Sequence, residues 1–374
     1  MLNNIQEAKR IVFKFGTNIL RDESGEMAYK RVESFIEDIS ELISMGKEVI
    51  IVTSGAVGIG AKKLDIDQTK YSLFEKQACA SVGQPYVMRM WEKGFQKFDV
   101  SVAQILLTEE DFAVRKRYLS LRNTLFKLLE HNIVPIINQN DAVCPSELEH
   151  VCFSDNDKLS ALVASKLDAD LLVIVSDING LYDKNPKEFE DAKLINRVDE
   201  ITHDIEKLAT GATLGGRGGM ITKLQGAKVV TNSGAFALII NGKVDKIIKN
   251  TFDGTNDIYT IFAPTQTLSS KKRWIAYATN IKGSIKINSG AKTALFEKQT
   301  SLLPVGIISC IGDFLADDVI SIYDEEDNEI ARGISNYDVE DVKKIMGIRS
   351  DKIEQILGQK ISDDVISKDN LVLL

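Results

Sequence analysis

The sequence predicts a three-layer α/β/α domain built on a mainly parallel sheet, followed by a small β-rich domain. Three observations lead there. Up to about residue 260, short apolar segments alternate with longer stretches of helical periodicity. The stretch 263–280 is polar and contains Ser269, Ser270 and the basic run Lys271–Lys272–Arg273. After it, short segments of alternating character are separated by turn residues. The first pattern is that of βαβ units, whose strands are buried on both faces and whose crossovers are helices. The expected boundaries are 1–262 for the first domain, 263–280 for a linker and 281–374 for the second domain.

Six runs read as strands of the first domain: IVFKFG from Ile11, EVIIVTSG from Glu48, VAQILLT from Val102, IVPIIN from Ile133, LLVIVSD from Leu171 and FALIING from Phe236. Most are continuously apolar, as doubly covered strands must be. Between the first two, Val32, Phe35, Ile36, Ile39, Leu42 and Ile43 fall on one face of a helix over Tyr29–Met45. Further helices are expected near Glu75–Phe98, Tyr118–His131, Asn156–Leu167 and Met220–Ser233. In the second domain GSIKINSG, ALFEK, GIISCIG, VISIYDE and EIARGIS read as strands, with short helices near Val339–Met346 and Asp351–Leu357.

Composition narrows the function. The chain has 374 residues, 44% of them hydrophobic, enough for two cores. A net charge of −8 weighs against a general binder of nucleic acid or anionic membrane. No apolar run reaches the length of a membrane span, and the start has no signal-peptide pattern. Cys79, Cys144, Cys152 and Cys310 show no metal-binding spacing, which suits a reduced, cytoplasmic protein without a disulfide framework or zinc.

In open parallel sheets, ligands gather beyond the carboxyl ends of the strands. Those ends carry a short list of polar residues. Lys14 and Gly16 close the first strand; Ser54, Gly55, Gly58 and Gly60 follow the second. Asn138, Asn140 and Asp141 end the fourth, and Ser176 and Asp177 the fifth. Asp155, Asn156 and Asp157 open a helix. GGRGGMITK, Gly215–Lys223, precedes another. Glycines let backbone N–H groups approach phosphate oxygens, and a helix N-terminus adds partial positive charge. The spacing is not that of a Walker A loop, where Lys follows Gly directly.

Each residue alone has an ordinary reading: Lys14 as a snorkelling strand lysine, Asp155 or Asn156 as a helix cap, Asp141 and Asp177 as turn formers. Together they favour a phosphate-handling site. The three histidines, His131, His150 and His203, lie outside these loops, and no nucleophile elbow is present. A reaction without a general base fits, such as phosphorylation of a carboxylate that is already ionised at neutral pH. Cations that neutralise the moving phosphoryl group would then dominate catalysis. Lys14 and Lys223 are candidates, with Asp157 to orient them.

KFGTN, VTSGAVGIG, NQNDAV, DNDKLSA, SDINGLY and GGMITK resemble the amino-acid kinase family, and within it the branch that phosphorylates L-glutamate on its γ-carboxylate at the start of proline synthesis. GAKTAL, SLLPVGI, GDF and IARGISNY resemble a PUA domain. The resemblance covers nearly the whole chain. It implies Lys14 and Lys223 as phosphate-contacting lysines and Asp157 as their organiser. It implies Ser54, Asp141 and Asn156 as glutamate-binding positions, with Gly55 and Asn138 beside them. Ser176 and Asp177 resemble nucleotide-binding positions, as do Arg217, Gly218, Gly219, Met220, Ile221, Thr222 and Lys223. ATP with Mg²⁺ is implied, without a dedicated protein cage for the ion, as are a homo-oligomer (dimer or tetramer) and feedback inhibition by proline.

Two positions depart from the family's habit: Gln139 stands where Glu is common, and Arg217 where a small or hydroxyl residue is common. Both bear on affinity. An anionic Asp141 could pair with the ammonium of free glutamate, whereas an N-acetylated acid would leave that carboxylate uncompensated. The alternatives are a kinase for N-acetylglutamate or aspartate, or an RNA-binding regulatory protein. From Ile281 to Leu374 there are 11 Lys and Arg against 17 Asp and Glu, so RNA binding is not expected.

Overall fold

The computed structural model describes residues 2–67, 72–143, 156–186, 188–210, 219–265, 270–276 and 281–374. They form two compact units, Met1–Thr267 and Leu268–Leu374. Among the described residues the first unit holds one sheet of eight strands. These are β1 (Arg10–Phe15), β2 (Glu48–Val52), β3 (Val102–Leu107), β4 (Val134–Gln139), β5 (Leu171–Ser176), β6 (Arg197–Val198), β7 (Phe236–Asn241) and β8 (Thr260–Phe262). Their order is β3-β4-β2-β1-β5-β7-β8-β6. The pairs are parallel except β7 with β8. The six expected strands are all present. The apolar pattern does not reveal β6 and β8, which at two and three residues are too short to show a period.

Helices cover the sheet. Tyr29–Ser44 buries Val32, Phe35, Ile36, Ile39 and Leu42, the face expected from spacing. Leu73–Gln96 opens with a capping box: Ser72 Oγ accepts from the Glu75 N–H at 3.3 Å, and the Glu75 carboxylate accepts from the Ser72 N–H at 2.6 Å. A further helix, Ala56–Leu64, lies where the sequence suggested only a glycine-rich loop. Its glycines serve packing. A Cβ on Gly60 would lie 1.8 Å from the Cys79 carbonyl oxygen, and one on Gly83 would lie 1.8 Å from that of Ala56. The Ala56 and Leu73 helices therefore meet backbone to backbone, which only glycine permits.

The second unit holds a sheet of β9 (Gly283–Ile287), β10 (Ile307–Gly312), β11 (Val319–Tyr323), β12 (Glu329–Ile334) and β13 (Leu371–Leu373), ordered β10-β9-β11-β12-β13. Ile285, Ile320, Ile322, Phe314 and Tyr337 form its core. Two expectations need correction. ALFEK is not a strand but the end of the helix Ser289–Lys298, because Asn288 Oδ1 caps that helix by accepting from the Ala291 N–H at 2.8 Å. Within 263–280, Ser270–Ala276 is helical, and Ile275 and Ala276 are buried against Val319, Ile334 and Val372. Two apolar residues in a polar stretch are enough to anchor it.

Candidate active site

β1 lies between β2 and β5, where successive strands depart to opposite sides of the sheet, and this switch point opens a crevice at the strand ends. Side chains alternate along β1. Phe13 and Phe15 point to one face, where Phe15 meets Phe35 at 5.1 Å and Trp91 at 5.2 Å between ring centroids. Lys14 therefore points to the other. There its Nζ lies 2.5 Å from Oδ1 of Asp157, in the first turn of the helix Asn156–Lys166. Asp157 is fully buried, and Lys14 is only 5% exposed.

The helix Met220–Thr231 reaches the same carboxylate from the other side. Lys223 Nζ lies 3.4 Å from Asp157 Oδ2, and Thr222 Oγ1 donates to that oxygen at 2.8 Å. Gly226, one turn on, lets the two helices approach, since a Cβ there would stand 3.3 Å from the Asp157 carbonyl oxygen. Burial alone would push the Asp157 carboxyl up. The ammonium groups of Lys14 and Lys223, with the hydrogen bonds from Lys14 and Thr222, outweigh it and hold the carboxyl below its ordinary value.

Beside this charged centre lies an amide cluster. Gly55 adopts φ of +98°, turning the chain from β2 into the Ala56 helix. Asn156 Nδ2 donates to the Thr53 carbonyl at 2.7 Å, to Ser54 Oγ at 2.8 Å and to Asn138 Oδ1 at 3.1 Å. Asn156 and Asp157 are consecutive, so one helix start joins the amide cluster to the lysines. Asp141 follows β4, with Lys76 Nζ 4.0 Å away. Burial raises its carboxyl above the ordinary value, and Lys76 offsets that only in part.

At the end of β5, Ser176 is buried and its hydroxyl lies 3.4 Å from Asp177 Oδ1. Burial again opposes ionisation of Asp177, but the hydrogen bond from Asn18 Nδ2 (3.2 Å) and the charges of Lys243 and Lys223 hold it below its ordinary value. Gly219 is extended and caps nothing with a side chain, so the first N–H groups of Met220, Ile221 and Thr222 face out of the helix. Arg217 and Gly218 lie outside the described residues, as do Cys144, Cys152 and Asp155. Two residues were not among the expected site positions: Asn18, the last residue of KFGTN, and Gln84, whose side chain joins the amide cluster from a helix of ordinary apolar pattern. Thr222 was expected only toward the nucleotide, yet it also holds Asp157.

Comparison with known proteins agrees with this geometry. The family model described as "Amino acid kinase family" matches residues 9–241, and the PUA domain model matches 283–357. A protein named glutamate 5-kinase from Caldanaerobacter subterraneus subsp. tengcongensis is 44% identical over 367 residues, 98% of both chains. One of the same name from Methanococcoides burtonii is 42% identical over 372 residues, 99% of this chain and 98% of its own. Among solved structures, carbamate kinase from Giardia lamblia bound to AMP-PNP aligns with a TM-score of 0.50 at 16% identity, over 69% of this chain and 99% of that one, a likeness of fold alone. With its sheet order, its site at the switch point and these full-length relatives, the chain belongs to the amino acid kinase family.

Proposed function

We propose that this chain catalyses transfer of the γ-phosphoryl group of ATP to the γ-carboxylate of L-glutamate, giving L-glutamyl 5-phosphate, the first step of proline biosynthesis. The observation that carries the reading is the buried Lys14–Asp157–Lys223 centre at the carboxyl ends of the strands, beside an amide cluster and a second, partly buried carboxylate, Asp141. Full-length relatives named glutamate 5-kinase support it. A carboxylate oxygen attacks Pγ, the bond from Pγ to the β,γ-bridging oxygen breaks, and ADP leaves with that electron pair. No proton moves, so no general base is needed. Lys14 and Lys223 stand where they can neutralise the equatorial oxygens as the P–O bonds loosen. Asp157 keeps both ammonium groups aimed.

Ser54, Gly55, Asn138, Asp141 and Asn156 are assigned to glutamate. Ser176, Asp177, Gly219, Met220, Ile221 and Thr222 are assigned to the nucleotide, with Arg217 and Gly218 by position in the sequence. The groups facing the phosphate side are ammonium and amide N–H, a set that fits Mg²⁺ carried on the nucleotide's own oxygens. When bound, the ion adds charge neutralisation on the phosphates. Proline carries an α-carboxylate and a cationic, though secondary, amino group beside it, as glutamate carries a primary one, so inhibition at this pocket is assigned too, and an unchanged rate in millimolar proline would count against it. A homo-oligomer and a cytoplasmic location complete the reading; among the described residues no helix is long and apolar enough to cross a membrane.

The test is ADP release from Mg-ATP with L-glutamate, N-acetyl-L-glutamate or L-aspartate, with hydroxylamine to trap the acyl phosphate as hydroxamate. Turnover with L-glutamate alone supports the assignment. Preference for another acid keeps the fold and overturns the substrate.

A further inference from the structure

The amide cluster has a fixed polarity that originates in two backbone groups. The Gln139 N–H donates to Asn138 Oδ1 at 2.9 Å, and an N–H can only donate. The Thr53 carbonyl accepts from Asn156 Nδ2, and a carbonyl can only accept. The first bond turns Asn138 Nδ2 away, toward Gln84 Oε1, to which it donates at 2.9 Å. Gln84 Nε2 must then face the other way, and it donates to Gln104 Oε1 at 3.0 Å. At the opposite end Asn156 Nδ2 is shared among Thr53, Ser54 and Asn138, which leaves Asn156 Oδ1 buried without a hydrogen-bond partner among the described residues. A buried acceptor of this kind needs a donor.

We propose that Gln84 is a positioning residue for the amino-acid substrate: it holds Asn138 Nδ2, so that Asn138 Oδ1 in turn holds Asn156 with its own Oδ1 free to accept from a substrate N–H. This rests on the reading of the pocket as an L-glutamate site. Gln84 is 8% exposed and sits in the middle of the Leu73–Gln96 helix, directly after Gly83. Gly83 brings that helix onto the Ala56 carbonyl, so Gln84 is within reach of Asn138 because of a backbone contact. Without Gln84 Oε1, Asn138 Nδ2 becomes a buried unpaired donor, and the group must turn or draw in water.

The test compares Gln84→Met, which keeps the length and removes both polar groups, with Gln84→Glu, which keeps an acceptor facing Asn138. In steady state, Gln84→Met is expected to raise KM for L-glutamate about tenfold, the scale of one unsatisfied buried donor, with KM for Mg-ATP unchanged and kcat little altered. Gln84→Glu is expected to recover most of that loss. Binding without turnover gives a second readout, because Trp91 Nε1 donates to Thr53 Oγ1 at 3.1 Å and the chain has two tryptophans. In a Trp274→Phe background, titration of Trp91 fluorescence with L-glutamate should show the same weakening. If Gln84→Met does not fold, Gln84→Asn, one methylene shorter, withdraws the same groups. An unchanged KM, an equal rise in the Met and Glu variants, or a rise in both substrates' KM overturns the positioning role. Failure of the wild-type chain to phosphorylate L-glutamate defeats the substrate reading instead, so the two failures are distinct.

Discussion

Lys14 and Lys223, 209 positions apart in the sequence, contact different oxygens of one carboxylate: Lys14 Nζ lies 2.5 Å from Asp157 Oδ1 and Lys223 Nζ 3.4 Å from Oδ2. The lysines come from a central strand and from the helix Met220–Thr231. Asp157 therefore fixes their separation, and under the proposed reaction the span over which two ammonium groups would face the phosphoryl group.

Lys223→Ala is expected to lower kcat by roughly 10²–10³, the effect of losing one preorganised charge at a reacting centre. KM for L-glutamate should change little, because Lys223 is assigned to the moving phosphate. Rapid-quench measurement of hydroxamate formation checks this. A large KM effect with normal kcat would reassign Lys223 to ground-state binding.

Asp157→Asn should damage both fold and function. It leaves two buried ammonium groups without their shared counter-charge, and a change of this kind costs about 3–5 kcal/mol. Thermal unfolding measures it. The sign of the pH dependence follows from the lowered carboxyl. The contribution of Asp157 to stability is fully present above its ordinary value of 3.8 and is lost as pH falls through the lower folded value. Acid unfolding of wild type should therefore steepen below about pH 4, and Asp157→Asn should lack that component.

Asp141 behaves in the opposite sense. Its folded value is raised, so ionising it costs stability as pH climbs past its ordinary 3.8, and the protonated form persists into less acid solution. If it pairs with the substrate ammonium, kcat/KM for L-glutamate should fall on the acid side at a pH above that of an ordinary aspartate. In Asp141→Asn that limb should retreat to the range of the substrate's own carboxyl. KM for L-glutamate should rise roughly 30-fold or more, and discrimination against N-acetyl-L-glutamate should shrink. An acid limb that stays in place in the variant would remove Asp141 from the pairing.

Gly83→Ala inserts a methyl group where 1.8 Å separates the ideal Cβ from the Ala56 carbonyl oxygen. Both neighbours are backbone, so a helix must move. Overpacking of this kind typically costs 1–3 kcal/mol. Urea unfolding should show it, together with a higher KM for L-glutamate, because the Ala56 helix starts directly after Ser54 and Gly55.

Much of this molecule is visible in its sequence. The strand ends could be read because continuous apolar runs stop abruptly at Lys14–Gly16, Ser54, Asn138 and Ser176. Lys14 and Lys223, which meet at Asp157, could be singled out because a lysine inside an apolar strand is rare and a glycine-rich helix start has a physical use. The role of Gly60 was misleading, since glycine at a phosphate and glycine at a helix crossing look alike until the partner helix is placed; Gly58 instead makes room for the Arg21 side chain. The helix over ALFEK escaped because five residues show too little of the helical period, and the Asn288 cap that starts the helix lies upstream of them. Gln84 escaped because nothing local marks a glutamine whose partners are 54 and 20 residues away.

The contact of Gly60 and Gly83 with facing carbonyls sets a hard stop on one wall of the pocket. That wall's position is a backbone dimension, insensitive to rotamer changes and not adjustable by exchanging one side chain for a slightly larger or smaller one. Retuning the chain for an acid one methylene shorter would have to come from the wall after β4, where Asp141 stands. Substitutions that widen acceptance should accordingly cluster there, and those at the helix crossing should weaken the fold and glutamate binding without changing which acid is preferred.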